Sequence, residues 1–354
     1  MTIDKQKLDT YLSKVKHSVP TLQVYIESGK TEDVYQFSST HLNQTFHSAS
    51  VGKVFCATLI MKAIEEARLS LDSRITDYLD NTMLNNLFVY KGVDYKDSVT
   101  VEILLNHTSG VNDYFEGKTI NNTPFLDSVF KQKDHLYTPK ELLDFTRHHQ
   151  HAVGKPKDRF YYSDTGYVLL GLLLEAVYSM PYYKILKEKL ITPLNLTQTA
   201  LCFHDPNFNQ KALAPLYFNH QDMSQATSLS CDYSGGGLQT TTKDLASFLK
   251  ALFQGNIISK KSLQKMMHTK YRFHGIMRYG LGLVEIKFHK IMPWKLNYPT
   301  LYGGLGSLSV HAFYDPKHDD VYIINLGDAS KMRLSFMVLT RLARELKRIN
   351  RNLT

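Results

Sequence analysis

β-branched and aromatic residues crowd Thr21–Glu27 and Val34–Ser39, on either side of the polar turn Ser28–Asp33, which predicts a hairpin near the N-terminus. From about Val51 to Arg68 the apolar positions take a helical period, with a nearly uninterrupted run at Val54–Met61. Residues 74–150 mix short helical patterns with polar loops such as Lys118–Pro124. Gly166–Tyr178 predicts a strongly apolar helix, and Thr242–Phe253 a third, stopped by Gly255. Further on, Gly280–Lys287, Leu308–Tyr314 and Asp320–Leu326 read as strands of one antiparallel sheet. Leu334, Val338, Leu342, Leu346, Ile349 and Leu353 then recur at helical spacing, giving an amphipathic last helix.

Strands near both ends with helices between them predict an α+β fold: an antiparallel sheet built from both chain termini, flanked by helices, with a mainly helical insertion. The expected division is one domain with a sheet lobe from residues 1–75 and 225–354, and a helical lobe from about 76–224. No internal repeat or linker interrupts it.

With 354 residues, 43% of them apolar, the chain can bury a large core, and 22 Tyr and 18 Phe argue against disorder. Met1–Asp9 is polar and lacks the apolar segment of a secretory signal, and the apolar runs fall short of the roughly 18 residues that span a bilayer. The expectation is a soluble, cytoplasmic protein. Cys56, Cys202 and Cys231 are odd in number and widely spaced, which fits reduced thiols and makes no zinc pattern. His148, His149 and His151 read as a solvated helix end, so neither metal nor cofactor is expected.

The net charge of +9 is concentrated late in the chain. Lys331, Arg333, Arg341, Arg344, Lys347, Arg348 and Arg351 face a single acid, Glu345, between 331 and 354. The expected reading is a helix packed on the sheet with its basic face in solvent, able to make weak contact with an anionic surface. No aromatic residues interleave with that face, so nucleic acid is not an expected partner.

Candidate chemistry begins with serine three residues before lysine, which on a helix places hydroxyl and amine on one face. A buried lysine loses solvation, its pKa falls from about 10.4, and its neutral amine can take the hydroxyl proton. The pattern occurs five times, at Ser13, Ser50, Ser128, Ser247 and Ser262. Ser13 and Ser262 lie among charges, Ser128 precedes a polar stretch, and Ser247 lies inside its helix. Ser50 opens the apolar helix that carries Lys53, where the helix dipole and free N–H groups favour a developing oxyanion.

The segment His47-Ser-Ala-Ser-Val-Gly-Lys53 resembles the nucleophile motif of the class C β-lactamase, D,D-peptidase and esterase superfamily of penicillin-recognising serine hydrolases. Leu104-Leu-Asn-His-Thr-Ser-Gly-Val111 is similar to its L-L-x-H-T-S-G loop, and Phe160–Gly171 to its Y-S-N segment. Gly235–Leu245 and Tyr279–Gly282 match two further stretches, so the resemblance runs in order over roughly residues 20–327. It implies that Ser50 attacks an acyl carbonyl and is acylated, that Lys53 and Tyr162 share the acid and base work, and that water releases the acid. A tyrosine near two cationic groups can hold a lowered pKa, which suits Tyr162 to that role. Asp164 stands where the family has Asn, and its carboxylate can pair with Lys53.

The third motif departs further. The family carries K-T-G or H-x-G, whose basic residue meets a substrate carboxylate; here the segment is Leu301–Pro316. One register puts Tyr302-Gly303-Gly304 in that place, like the W-G-G of esterase branches, with the N–H groups of Ser50 and Leu305 as oxyanion donors. Another puts Gly304 at the basic position and Ser307 as donor. Neither supplies a cation, which forfeits about 1.5–3 kcal/mol of charge-assisted hydrogen bonding to a carboxylate. His311, on the same expected strand, reads as a packing residue. The resemblance implies an esterase-like hydrolase of small acyl or D-aminoacyl esters, its expected partner being a small-molecule ester or amide. The alternatives are a non-catalytic binding protein of the same fold, and a D,D-peptidase or weak β-lactamase.

Overall fold

The computed structural model describes residues 2–288 and 298–351. Its centre is an eight-stranded sheet. The strands are β1 (Gln23–Glu27), β2 (Val34–Ser38), β3 (Tyr271–Arg272), β4 (Met277–Tyr279), β5 (Val284–Lys287), β6 (Thr300–Gly306), β7 (Val310–Asp315) and β8 (Asp320–Asn325). Their order is β3-β4-β5-β6-β7-β8-β1-β2, antiparallel throughout, so the α+β sheet closed by both ends of the chain is borne out. β1 is seated against β8 from Gln23↔Asn325 to Glu27↔Val321.

Alternation explains why both faces are covered. On β7 and β8, Val310, Ala312, Tyr314, Val321 and Ile323 join the core on the inner face, while Phe313, Tyr322 and Ile324 point into a second core on the outer face. The outer layer is α1 (Lys5–Val15) and α6 (Met332–Arg351). α6 buries Val338, Leu339, Leu342, Leu346 and Ile349, as the helical spacing requires, and described residues of its basic face, such as Arg348, reach the surface. The inner layer holds α2 (Gly52–Glu65), α4 (Asp164–Tyr178) and α5 (Thr242–Phe253), with α3 (Pro139–His149) packed against α4. α2 is buried on every side from Gly52 to Met61, which is why its sequence shows an apolar run instead of a stripe.

Several boundaries differ from the sequence reading. α1 was not expected; Asp4 caps it by accepting from the Lys7 N–H at 3.1 Å, and Leu8, Leu12 and Val15 form its buried face. The expected strand Gly280–Lys287 begins at Val284, because Gly280–Leu283 turns the chain through Gly282 at φ +78°. His311 is not on the strand of Tyr302–Leu305 but across the turn, paired with Leu305 in the β6–β7 register. Its ring is hydrogen-bonded to Ser335 at 2.6 Å, the packing role expected of it. Leu353 lies outside the described residues. Cys56, Cys202 and Cys231 are buried and free, and His148, His149 and His151 are exposed around the end of α3. Among the described residues no helix is long and apolar enough to cross a membrane.

Candidate active site

Ser50 lies on a tight 3₁₀ turn, Ala49–Val51, that leads into α2. Ala49 is held at φ +46°, a left-handed conformation that costs a side-chain-bearing residue about 1–2 kcal/mol. The turn is anchored on both sides. The Ala49 N–H donates to His47 Nδ1 at 3.2 Å, and the Ser48 hydroxyl donates to the Gly236 carbonyl at 2.7 Å. Burial lowers the His47 pKa to about 4, so the ring stays neutral and able to accept. A small sheet of Phe46–His47, Leu238–Thr240 and Ala200–Leu201 fixes the nucleophile segment against the Gly235–Gly237 stretch.

One turn into the helix, Lys53 is 1% exposed. Its Nζ donates to Ser50 Oγ at 3.2 Å and to the Gly235 carbonyl at 2.7 Å, and forms an ion pair with Asp164. Ser163 caps α4 by accepting from the Gly166 N–H at 3.2 Å, which directs Asp164 from the first turn toward Lys53. Tyr162 hydrogen-bonds to Ser50. Its ring lies 4.9 Å below the Lys53 ammonium and packs on His107 and Phe273, with centroids 4.3 and 5.2 Å away. The structure thus brings Ser50, Lys53, Tyr162 and Asp164 together.

The expected lowering of the Tyr162 pKa is corrected. Burial and the Asp164 carboxylate push it well above the usual phenol value, outweighing the Ser50 hydrogen bond. Burial is the larger cause; Asp164 adds to it, because the Lys53 cation beside Tyr162 arrives with its counter-charge. Tyr162 is therefore a neutral phenol.

Ser50, Tyr162 and Asp164 open on a cavity of about 630 Å³. Leu305 and Ser307 line its sheet side. The β5–β6 pairing stops at Val284↔Gly303, so this stretch of β6 has no strand beyond it. Gly304 is not on the lining but packs on the nucleophile helix: a Cβ there would meet Val54 Cγ2 at 3.0 Å and Val51 Cα at 3.1 Å. Tyr302 is a second correction. Its hydroxyl donates to Glu285 at 2.7 Å and it does not line the cavity, because cross-strand pairing with Glu285 draws it away.

The sequence reading missed the opposite wall. Asp113, Glu116 and Asp232 line the cavity together with Asp164. Asp113 accepts the N–H groups of Phe115, Glu116 and Asp164 at 3.3, 2.9 and 2.9 Å. Burial and the Asp164 charge nevertheless raise it to about 7, and Asp232 is raised to about 7 for the same two reasons. Asp113 lies two residues after the motif that ends at Val111, and Asp232 three residues before Gly235. Proximity to the motifs was the only signal for them.

The family model described as beta-lactamase matches residues 16–351. The chain belongs to the beta-lactamase family. Penicillin-binding protein 4* of Bacillus subtilis (strain 168) is 25% identical over 256 residues, covering 68% of the chain and 52% of that protein. The chain spans about half the length of the curated relatives it matches. Among solved structures, a D-stereospecific amidohydrolase from Streptomyces sp. has a TM-score of 0.75 at 24% identity, with 92% of this chain and 95% of that one covered. D-amino acid amidase from Ochrobactrum anthropi SV3, complexed with L-phenylalanine, has a TM-score of 0.78 at 23% identity, with 97% and 96% covered. At such identity these structures share the family fold, and carry no more than that.

Proposed function

We propose that the protein is a serine hydrolase that forms an acyl-enzyme at Ser50, on small amides or esters with a free amino group beside the scissile carbonyl, D-aminoacyl compounds foremost. The observation that carries the substrate class is the ring of carboxylates, Asp113, Glu116 and Asp232, in a cavity where the third motif supplies no cation. Such a wall attracts an ammonium and repels the carboxylate of a penicillin or a D-Ala-D-Ala end. The D-aminoacyl class is suggested by the D-stereospecific amidohydrolase and the D-amino acid amidase that share the fold.

In this reading the Ser50 proton passes to Lys53 Nζ as Lys53 yields one to Asp164, and Ser50 Oγ bonds to the carbonyl carbon. The oxyanion is held by the N–H groups of Ser50 and of the Leu305–Ser307 stretch. Neutral Tyr162 gives its proton to the leaving nitrogen or oxygen as the acyl bond breaks, and regains one from the Lys53–Asp164 pair. Water then attacks the ester and the same transfers run in reverse. Tyr302 takes no part. A non-catalytic binding protein has no use for the Ser50–Lys53–Tyr162 contacts, which favours the enzyme.

The test is intact mass after a fluorophosphonate probe, with turnover of D- and L-phenylalanine amide, in wild type and Ser50→Ala. One adduct and D-selective turnover, both lost in the variant, support the reading. An unlabelled wild type that turns over neither amide overturns it.

A further inference from the structure

A second hollow of about 730 Å³ adjoins the Ser50 cavity, with His274, Met277 and Phe336 lining both; the adjoining hollow and the border it shares with the cavity are termed the trough. Ile276, Phe288 and Met337 make the second hollow apolar, and Tyr11 of α1 also lines it. Met337 is 57% exposed, a large apolar side chain left facing solvent beside it. Arg333, Arg341 and Arg344, all from α6, stand on its rim.

Two of these arginines, Arg341 and Arg344, are held by aromatic groups instead of acids. The Arg341 guanidinium lies over the Tyr11 ring at 5.6 Å, and Arg344 Nε donates to the Tyr298 hydroxyl at 3.2 Å. Among the described residues no carboxylate lies within ion-pair distance of the three. An apolar floor with an acid-free arginine rim suits an apolar chain that ends in an anion. Nothing in acyl transfer at Ser50 calls for such a surface.

We infer that this trough is the leaving-group end of the substrate site, and that it takes an apolar chain terminating in a carboxylate or similar anion. The inference rests on the hydrolase reading. With the substrate ammonium at Asp113, Glu116 and Asp232, the acyl group faces the wall that carries them. The group that departs then lies toward Met277 and Phe336, where the trough begins. When Ser50 Oγ bonds to the carbonyl carbon and the carbon–nitrogen bond breaks, the freed amine, protonated by Tyr162, remains attached to the chain in the trough.

The test compares D-alanyl amides of 4-aminobutanoate, 6-aminohexanoate and 8-aminooctanoate with D-alanyl amides of butylamine, hexylamine and octylamine. D-alanine amide is the short reference. In wild type, kcat/KM rises with chain length by about tenfold or more across each series, and the acids exceed the alkylamines of equal length by about tenfold. The double variant Arg333→Gln/Arg341→Gln erases the advantage of the acids and leaves D-alanine amide and the alkylamine series unchanged. Ile276→Asp flattens the dependence on length. If D-alanine amide is hydrolysed but neither length nor carboxylate matters, the trough inference falls and the hydrolase stands. If no substrate is hydrolysed and the fluorophosphonate leaves Ser50 untouched, the hydrolase reading falls and takes this one with it.

Discussion

The backbone N–H of Asp164 donates to the carboxylate of Asp113 at 2.9 Å, while the Asp164 side chain turns the other way to meet Lys53. One residue therefore both supports a neighbouring acid and, by its own charge, makes that acid harder to ionise. Replacing Asp164 by the family's Asn removes the charge and keeps the N–H. Asp164→Asn is expected to lower the Asp113 and Asp232 pKa values from about 7, moving the acid limb of the kcat/KM profile for D-phenylalanine amide to lower pH. An acid limb that stays in place would contradict this coupling.

In wild type, the same two acids set how amine-bearing substrates bind. As pH falls through about 7, Asp113 and Asp232 take up protons and the attraction for an ammonium weakens. KM for D-phenylalanine amide is expected to rise below pH 7. Hydrolysis of p-nitrophenyl acetate, which has no amine, keeps its KM. Parallel KM profiles for the two substrates would remove the carboxylates from recognition.

Stability moves in the opposite sense. A carboxyl whose folded pKa is raised from 3.8 to about 7 binds more protons folded than unfolded between those values. Stability is thus greatest below pH 4 as far as these groups decide it, and falls as pH rises to about 7. Asp232→Asn is expected to flatten the decline between pH 5 and 8, read as Tm by calorimetry. An unchanged slope would mean that Asp232 is ionised freely in the fold.

Lys53 takes the Ser50 proton in the proposed chemistry, and with Asp164 returns one to Tyr162. Lys53→Met is expected to cut kcat/KM by about a thousandfold, within the range for acid–base groups, and to slow fluorophosphonate labelling of Ser50 correspondingly. Retention of labelling at the wild-type rate would assign activation of Ser50 elsewhere.

Gly304 separates catalytic geometry from stability. In Gly304→Ala the new methyl lies 3.0 Å from Val54 Cγ2 and 3.1 Å from Val51 Cα, so the helix behind the nucleophile must shift. The expected cost is about 1–3 kcal/mol of stability, with kcat falling by about tenfold or more from the misplaced Ser50. By contrast, Leu342→Ala in the outer core costs about 2–5 kcal/mol and leaves the labelling rate of folded protein unchanged. Equal effects of the two on labelling would show that the sheet does not insulate the site from its outer layer.

Much of this architecture was legible because burial imposes strict patterns. The run Val54–Met61 could only be a core element, and Ser50 at its start could be told from four other serine–lysine pairs by that context. β1, β2, β5, β7 and β8 showed through their β-branched and aromatic residues, whereas β3 and β4, two and three residues long, did not. α1 did not, since only three apolar residues, Leu8, Leu12 and Val15, face inward from a polar helix. The β6–β7 turn was hidden because Ser309 adopts φ +60° without glycine to mark it. The acidic wall was illegible for another reason: Asp113 and Asp232 meet only through the tertiary fold, and an isolated aspartate in sequence looks like surface. Asp164 was seen as a departure, yet its effect on Tyr162 needed the geometry of the Lys53 pair.

The pairing of Gln23 with Asn325, reinforced by a side-chain hydrogen bond of 2.8 Å, also fixes when the molecule can be completed. β1 is synthesised some 300 residues before the strand that holds its inner edge. Until β8 is made, the β1–β2 hairpin has an open edge, and a two-stranded ribbon is marginal alone. Closing so long a loop is slow, although its entropy grows only logarithmically with length. Folding of the sheet is therefore a late event, and the nascent hairpin is the segment most exposed to mispairing with other chains.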